Sequence, residues 1–206
     1  MDVLIQIIIT GITLGSMYAL ASVGLSLIFG TLGMFNMAHG LFMTLGAYAA
    51  YSSAISLNVS LLIGILIAMG AGALVGVVTH LAVVRFMLGN SEFGMNVLVA
   101  TAGIGIILED LLLKIYGGYP YPQVLKVEGL IKIADVAITY QAIVICLVAL
   151  LLISSIAFLL MKTRLGRGIR ATAQNRDAAM LMGVKSDTVF LQVMAIAGML
   201  AGVAGL

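Results

Sequence analysis

Apolar residues fill most of the chain in long runs that only a few short polar stretches interrupt. No Asp, Glu, Lys or Arg occurs from Val3 to Val84, whereas one membrane-spanning helix needs only about 20 residues. The break between the first two runs is marked only by Gly30, Gly33 and Asn36, so the chain can turn there at membrane depth if protein covers it. The interruptions predict about six spans, near Val3–Phe29, Met34–Tyr51, Leu57–Val84, Phe93–Leu113, Val136–Met161 and Thr188–Leu206.

Composition supports this pattern and excludes a soluble globular domain. Hydrophobic residues make up 63% of the chain, and only 9% is charged, against about 25% in soluble domains. We therefore expect an all-α integral membrane protein, a polytopic bundle of transmembrane helices. The formal net charge of +2 is too small to indicate a nucleic-acid partner. Cys146 is alone in an apolar segment, and we interpret it as a packing residue.

Most of the positive charge lies in one segment, residues 162 to 187, which we call the basic loop. Because Lys and Arg are concentrated in cytoplasmic loops, this segment is predicted to be cytoplasmic. Counting back through the spans places residues 114–135 outside and residues 85–92 inside. If the second run crosses fully, the N-terminus is outside. The basic residues of the loop are Lys162, Arg164, Arg167, Arg170, Arg176 and Lys185.

A short helix is predicted inside the basic loop. Asn175 can cap a helix that begins at Arg176, and Asp177 would stabilise its first turn through the helix dipole. Gly183 can adopt the left-handed conformation that ends such a helix. After it, Ser186 is expected to cap the next span, with Asp187 in the first turn of that span.

The side chains of this short helix leave two interpretations open. Ala178 and Ala179 are small, and the large Met180, Leu181 and Met182 follow them. A helix with this pattern suits insertion into a groove on another protein. The alternative is a simple connector whose basic neighbours contact anionic lipid.

Pairs of small residues four positions apart predict close packing between helices, since lipid gives apolar side chains little reason to prefer each other. In the fourth span, Glu109 and Asp110 are predicted to pair with Lys114. Tyr116–Pro122 combines turn formers with aromatic residues, which is typical of an outer membrane edge and also of a docking platform. The small pairs are Gly11 with Gly15, Gly72 with Gly76, and Gly198 with Gly202.

Two stretches of the sequence resemble one family of transporters. Residues 163–183, TRLGRGIRATAQNRDAAMLMG, resemble the coupling loop of bacterial ATP-binding-cassette importer permeases of the branched-chain amino-acid type. The general permease pattern is Glu-Ala-Ala, three residues, then Gly, and here Asp177 replaces the Glu. Residues 24–40, GLSLIFGTLGMFNMAHG, followed by Leu45-Gly-Ala-Tyr48, are similar to the N-terminal signature of the same family. The two motifs stand in the family's order, and the resemblance covers essentially the whole chain.

The resemblance implies a single transmembrane permease domain over residues 1–206 that forms half of a translocation pathway in the bacterial inner membrane. Its implied partners are a second related permease, two cytoplasmic ATPase subunits and a periplasmic or lipid-anchored substrate-binding protein, besides membrane lipid. Family members run longer, and the chain ends at Leu206 within an apolar run, so we expect it to continue. The resemblance assigns ATPase coupling within the basic loop to Arg170, Asn175, Asp177, Ala178, Ala179, Met182 and Gly183.

The chain has no Gly-x-x-x-x-Gly-Lys-[Ser/Thr] phosphate loop. We therefore expect no catalytic residue, no metal site and no cofactor in this subunit, with ATP bound by its partners. Asn36 and His39, three residues apart beside the glycine break, are candidates for the translocation pathway. They either line that pathway from one helical face or hydrogen-bond a neighbouring helix.

The substrate remains open between branched-chain amino acids and the urea, short amides or other amino acids that similar permeases carry. A secondary transporter is the alternative class. Such a protein commonly has paired helix breaks or a buried ionisable coupling site, and neither is clear in this sequence.

Overall fold

Long helices build almost the whole molecule. The computed structural model describes residues 2–88, 92–133 and 136–206. The π-turn His80–Val84 joins α3 to α4 without a break, and the strands β1 and β2 pair antiparallel with Leu130 opposite Thr139. The elements are α1 (Asp2–Leu32), α2 (His39–Leu57), α3 (Leu61–Thr79), α4 (Arg85–Met87), α5 (Phe93–Tyr116), β1 (Leu130–Ile133), β2 (Val136–Thr139), α6 (Tyr140–Lys162), α7 (Arg164–Gln174), α8 (Arg176–Leu181) and α9 (Ser186–Ala204).

The helical membrane bundle expected from the sequence is confirmed. Within the described ranges, five helices are long and apolar enough to cross a membrane: α1, α3 with its continuation to Met87, α5, α6 and α9. The remaining predicted span, the second along the chain, corresponds to α2. This helix has 19 residues but is less apolar, because tyrosines and serines interrupt it. The prediction that α2 begins at Met34 is wrong, since it begins at His39.

The start of the fifth span also differs from the prediction. Residues from Val136 were expected to be helical, but Val136–Thr139 forms β2 and α6 begins at Tyr140. The Thr139 side chain accepts a hydrogen bond from the amide of Ala142, so it caps this helix. The β-branched residues before it favour a strand over a helix.

The two loops that were predicted to be cytoplasmic lie at one end of the bundle. At one end, a hydrophobic cluster joins Ile28 of α1, Val84 of the π-turn, Val97 of α5, Ile169 of α7 and Val189 of α9. The basic loop and the chain around Arg85 therefore lie at the same end, as the positive-inside rule requires. Aromatic rings meet at the opposite end, where α2 and α5 place two tyrosines in a stack with centroids 4.0 Å apart.

Glycines bring α3 and α9 into close contact. A Cβ atom on Gly72 would lie 2.8 Å from the carbonyl carbon of Gly198, and one on Gly76 would lie 2.9 Å from that of Met194. The predicted pairs at 72 and 76 and at 198 and 202 are thus confirmed as close-packing positions. Gly11 and Gly15 of α1 have no such neighbour among the described residues.

Candidate functional site

The basic loop folds into two helices, of which the sequence predicted only the second. In α7, Gly166, Ile169 and Thr172 are buried, while Arg164 and Arg167 are exposed. Burial at every third position gives an amphipathic helix that lies against the bundle. The recurrence of Arg at 164, 167 and 170 was the signal that would have predicted it.

The junction between α6 and α7 is fixed by several side-chain contacts. The Thr163 hydroxyl donates to the carbonyl of Leu159 and accepts from the amide of Gly166, at 2.6 and 3.1 Å. Arg170 donates from its guanidinium to the carbonyl of Leu160. These bonds use free groups at the end of one helix and the start of the next, and they hold α7 at one angle to α6.

The predicted short helix α8 is confirmed, with both of its caps. The Asn175 side chain accepts a hydrogen bond from the amide of Ala178 at 2.9 Å, and Asp177 lies in the first turn. Gly183 has φ +87°, and the amides of Gly183 and Val184 donate to the carbonyls of Met180 and Ala179, each at 3.0 Å. This pair of bonds is a Schellman motif, so the end of α8 is as well defined as its start.

One side of α8 faces the bundle and the other faces away. Ala179 is only 5% exposed, so it packs inward and is not available to a partner. Leu181 and Met182 are 89% and 86% exposed, and Asp177 and Ala178 are exposed beside them. The segment therefore presents a small apolar tip, residues 180–182, at the charged end of the bundle.

The start of α9 departs from the prediction at one residue. Ser186 was expected to cap this helix, but it is the first helical residue, and its buried hydroxyl has no hydrogen-bond partner among the described residues. Asp187 lies in the first turn as predicted, where His80 donates from Nε2 to its Oδ1 at 3.0 Å. The Arg176 guanidinium carbon lies 5.2 Å from the ring centre of Phe190, so a cation–π contact joins α8 to α9.

Asn36 and His39 do not share a helical face, because Asn36 lies in the non-helical break before α2. Alternate residues of the break, Met34, Asn36 and Ala38, are buried, and side chains accept hydrogen bonds from two of its backbone amides. The Asn36 Oδ1 accepts from the amide of Ala38 at 3.0 Å, and the Thr101 hydroxyl oxygen accepts from the amide of Met37 at 3.1 Å. Protein thus covers a break in the chain within the bundle, as the sequence suggested. Nothing in the sequence marked Thr101 as the partner.

His39 packs against α1. Its Nε2 lies 3.1 Å from the carbonyl oxygen of Ala21, and a Cβ on Gly24 would lie 3.1 Å from its ring. Gly24 therefore leaves the space that the imidazole fills. A cavity of about 610 Å³ is lined by Gly40, by other parts of α1, α2 and α6, and by residues 121–125 and 205–206, but not by His39 itself. Of the two interpretations of His39, the hydrogen bond to a neighbouring helix matches these contacts.

Glu109 and Asp110 of α5 were both predicted to pair with Lys114, and the structure shows this ion pair for Asp110. Lys114 donates to Asp110 Oδ2 at 2.6 Å, one helical turn away. Both side chains are exposed, so the pair contributes at most about 1 kcal/mol. Among the described residues, no group of three or more His, Cys, Asp or Glu is placed to hold a metal ion.

Comparison with known proteins identifies the family. The family of branched-chain amino acid transport system permease components matches residues 7–206. The chain belongs to this family. It is therefore a multi-pass membrane transport permease, and permeases of ATP-binding-cassette importers act together with separate ATPase and substrate-binding proteins.

Individual relatives agree with this assignment. The chain is 27% identical to the high-affinity branched-chain amino acid transport permease BraD of Pseudomonas aeruginosa, over 97% of this chain and 69% of BraD. It is 26% identical to the corresponding permease LivH of Escherichia coli K12, over 98% and 69%. A probable LivH of Methanocaldococcus jannaschii is 26% identical, over 92% and 61%. No solved structure matches the chain.

Proposed function

We propose that this permease forms half of the pathway of an ATP-driven importer for branched-chain amino acids, and that its basic loop receives the movement of a cytoplasmic ATPase. The observation that carries the proposal is the tip of α8. Its large apolar side chains are exposed, although the helix itself is capped at both ends and anchored to α9. A rigid apolar projection beside basic residues is suited to a groove on a protein partner.

The remaining parts of the proposal follow from the family. The chain works beside a second related permease and above two ATPase subunits, and a periplasmic or lipid-anchored binding protein delivers the substrate. ATP binds to the ATPase subunits, and this chain carries no cofactor and no catalytic site. The assembly lies in the bacterial inner membrane. Within the basic loop, Asp177, Ala178 and Met182 contact the ATPase, Asn175, Ala179 and Gly183 hold α8 in place, and Arg170 holds α7 on α6.

The test is a pair of matched substitutions in the basic loop. Ala178 and Ala173 are both exposed alanines, but Ala178 lies in α8 and Ala173 near the end of α7. Ala178→Arg places a bulky charge beside the apolar tip and should abolish leucine uptake and copurification of the ATPase. Ala173→Arg should leave both near the level of the unmodified protein. Normal uptake and copurification in Ala178→Arg would refute the coupling assignment.

The substrate is tested on the binding protein, because that partner meets the substrate first. Calorimetry with leucine, isoleucine, valine and urea would show which one it binds. Vesicle uptake of the same compounds by the complete transporter should follow the same order. Tight binding and uptake of urea without leucine would contradict the branched-chain amino-acid assignment and leave the ATPase assignment intact.

A further inference from the structure

Three side chains from two helices meet where the basic loop enters the bundle. His80 and Arg85 belong to the continuous helix of α3, the π-turn and α4, and Asp187 belongs to the first turn of α9. His80 is fully buried, and its Nε2 lies 3.0 Å from Asp187 Oδ1. Arg85 Nε lies 3.9 Å from the other carboxylate oxygen. Since an ionised carboxylate only accepts hydrogen bonds, His80 carries its proton on Nε2 in this contact.

The π-turn is what brings His80 and Arg85 to the same carboxylate. In a regular α-helix, residues five apart point about 140° away from each other. Here the amide of Arg85 donates to the carbonyl of His80, which is the five-residue bond of a π-helix. The extra residue in this turn brings the two side chains back toward one face. Such turns are frequent at functional sites.

This contact differs in kind from the rest of the interface between α3 and α9. Below it, the backbones of the two helices touch, with Gly72 against Gly198 and Gly76 against Met194. Apolar side chains fill the rest, and Val75 of α3 packs in the cluster that holds Val193 and Met194 of α9. Glycines let the two helices approach closely, but neither kind of contact is a hydrogen bond between side chains. The hydrogen bond from His80 to Asp187 is directional, and Arg85 adds a longer ionic contact, so together they tie the start of α9 to α3.

We propose that Asp187, held by His80 and Arg85, transmits the displacement of the basic loop to the third membrane span. The inference rests on the proposed function, because it requires that an ATPase moves the loop. Asp187 lies four positions after Gly183, where α8 has ended. His80 and Arg85 of the third span are positioning residues, because their contact with Asp187 makes α3 move together with α9. Without this contact, only apolar packing would couple the start of α9 to α3.

The experiment measures whether the loop and the third span move together. Spin labels on cysteines at Phe86 and Met182, which are 77% and 86% exposed, report the distance from α4 to the tip of α8. Cys146→Ser removes the native thiol of this chain. The labelled subunit is studied in the assembled transporter, and its partner proteins carry no spin label. The distance between the two spin labels is measured by double electron–electron resonance, without nucleotide and after trapping with ATP and vanadate.

With Asp187 present, the distance should be the same in both nucleotide states. In Asp187→Ala it should change by at least about 2 Å on trapping, the size of typical helix shifts, and uptake per ATP hydrolysed should fall about tenfold. Thr188→Ala, the neighbouring exposed position of α9, is the matched control and should behave like the parent. His80→Leu should reproduce the effect of Asp187→Ala, whereas His80→Gln, which retains a donor, should restore the constant distance.

A distance that changes on trapping in the parent, or stays constant in an assembled Asp187→Ala or His80→Leu variant, overturns the inference. If Asp187→Ala does not assemble, His80→Leu makes the same comparison from the other side of the contact. Failure of the proposed function has a different signature, since the ATPase would then remain bound to Ala178→Arg and uptake would persist.

Discussion

The glycine interface between α3 and α9 makes a sharp prediction, that Gly72→Ala destabilises the bundle. The added Cβ would lie 2.8 Å from the carbonyl carbon of Gly198 and 3.1 Å from the amide nitrogen of Gly202. Ordinary contact begins at 3.4 Å, so the helices must separate by at least about 0.6 Å. Both opposing atoms are backbone, and no flexible side chain can move aside.

The expected cost is about 1–3 kcal/mol, the range for overpacking a close-packed interior. It corresponds to a fall in the folding equilibrium constant of about 5- to 140-fold. The cost also bears on function, because α9 continues directly from the basic loop. A displaced α9 would move Asp187 relative to His80.

Gly70→Ala is the matched control. Gly70 lies on the same helix two positions away, is exposed, and has nothing within 4 Å of an added Cβ. Alanine there should leave stability unchanged or raise it slightly, because its helix propensity exceeds that of glycine. Unfolding in mixed micelles with increasing dodecyl sulfate, followed by helical circular dichroism, compares the two variants. Equal midpoints for Gly70→Ala and Gly72→Ala would refute the close packing of α3 on α9.

Three further predictions concern single contacts. Thr101→Val leaves the amide of Met37 without its partner and should cost about 0.5–1.5 kcal/mol in the same assay, whereas Thr101→Ser, which keeps the hydroxyl, should cost clearly less; equal losses would contradict the role of the hydroxyl. Asn175→Ala removes the cap of α8 and should weaken that helix by about 1 kcal/mol, seen as faster amide exchange in residues 176–181 only, with Asn175→Asp retaining protection. Gly183→Ala should weaken the same helix by about 1–2 kcal/mol because its φ of +87° is unfavourable for alanine, and unchanged exchange would contradict this.

The spans and the short helix α8 were predictable because their signals are local. A run of apolar residues is sufficient for a membrane helix, and Asn175 and Gly183 cap α8 through their own neighbours in sequence. The sequence allowed a hydrogen bond from His39 to a neighbouring helix, but the partners of His39 and Thr101 were not predictable, since each bond joins different segments of the chain. The π-turn could not be predicted from the sequence for the same reason. Its extra residue brings His80 and Arg85 toward the carboxylate of Asp187, which is distant in the sequence.

Ser186 and Ala179 show where local patterns mislead. Ser186 has the right residue type for a cap, yet Lys185 takes the cap position, and Ser186 is the buried first residue of the helix. Ala179 belongs to the motif that marks the coupling segment, yet it faces the bundle. A motif identifies a segment, but burial decides which of its residues a partner can reach.

The basic loop is attached to the bundle at both of its ends, and by different means. At its start, Thr163 and Arg170 bond to the last carbonyls of α6. At its end, Asp187 bonds to His80 of the third span. Between these points, Asn175 and Gly183 keep α8 from fraying. A force applied to the exposed tip therefore cannot be absorbed by unwinding the loop. On the proposed coupling, it would act on α6 and α3 together, two spans that the sequence separates by more than a full membrane crossing.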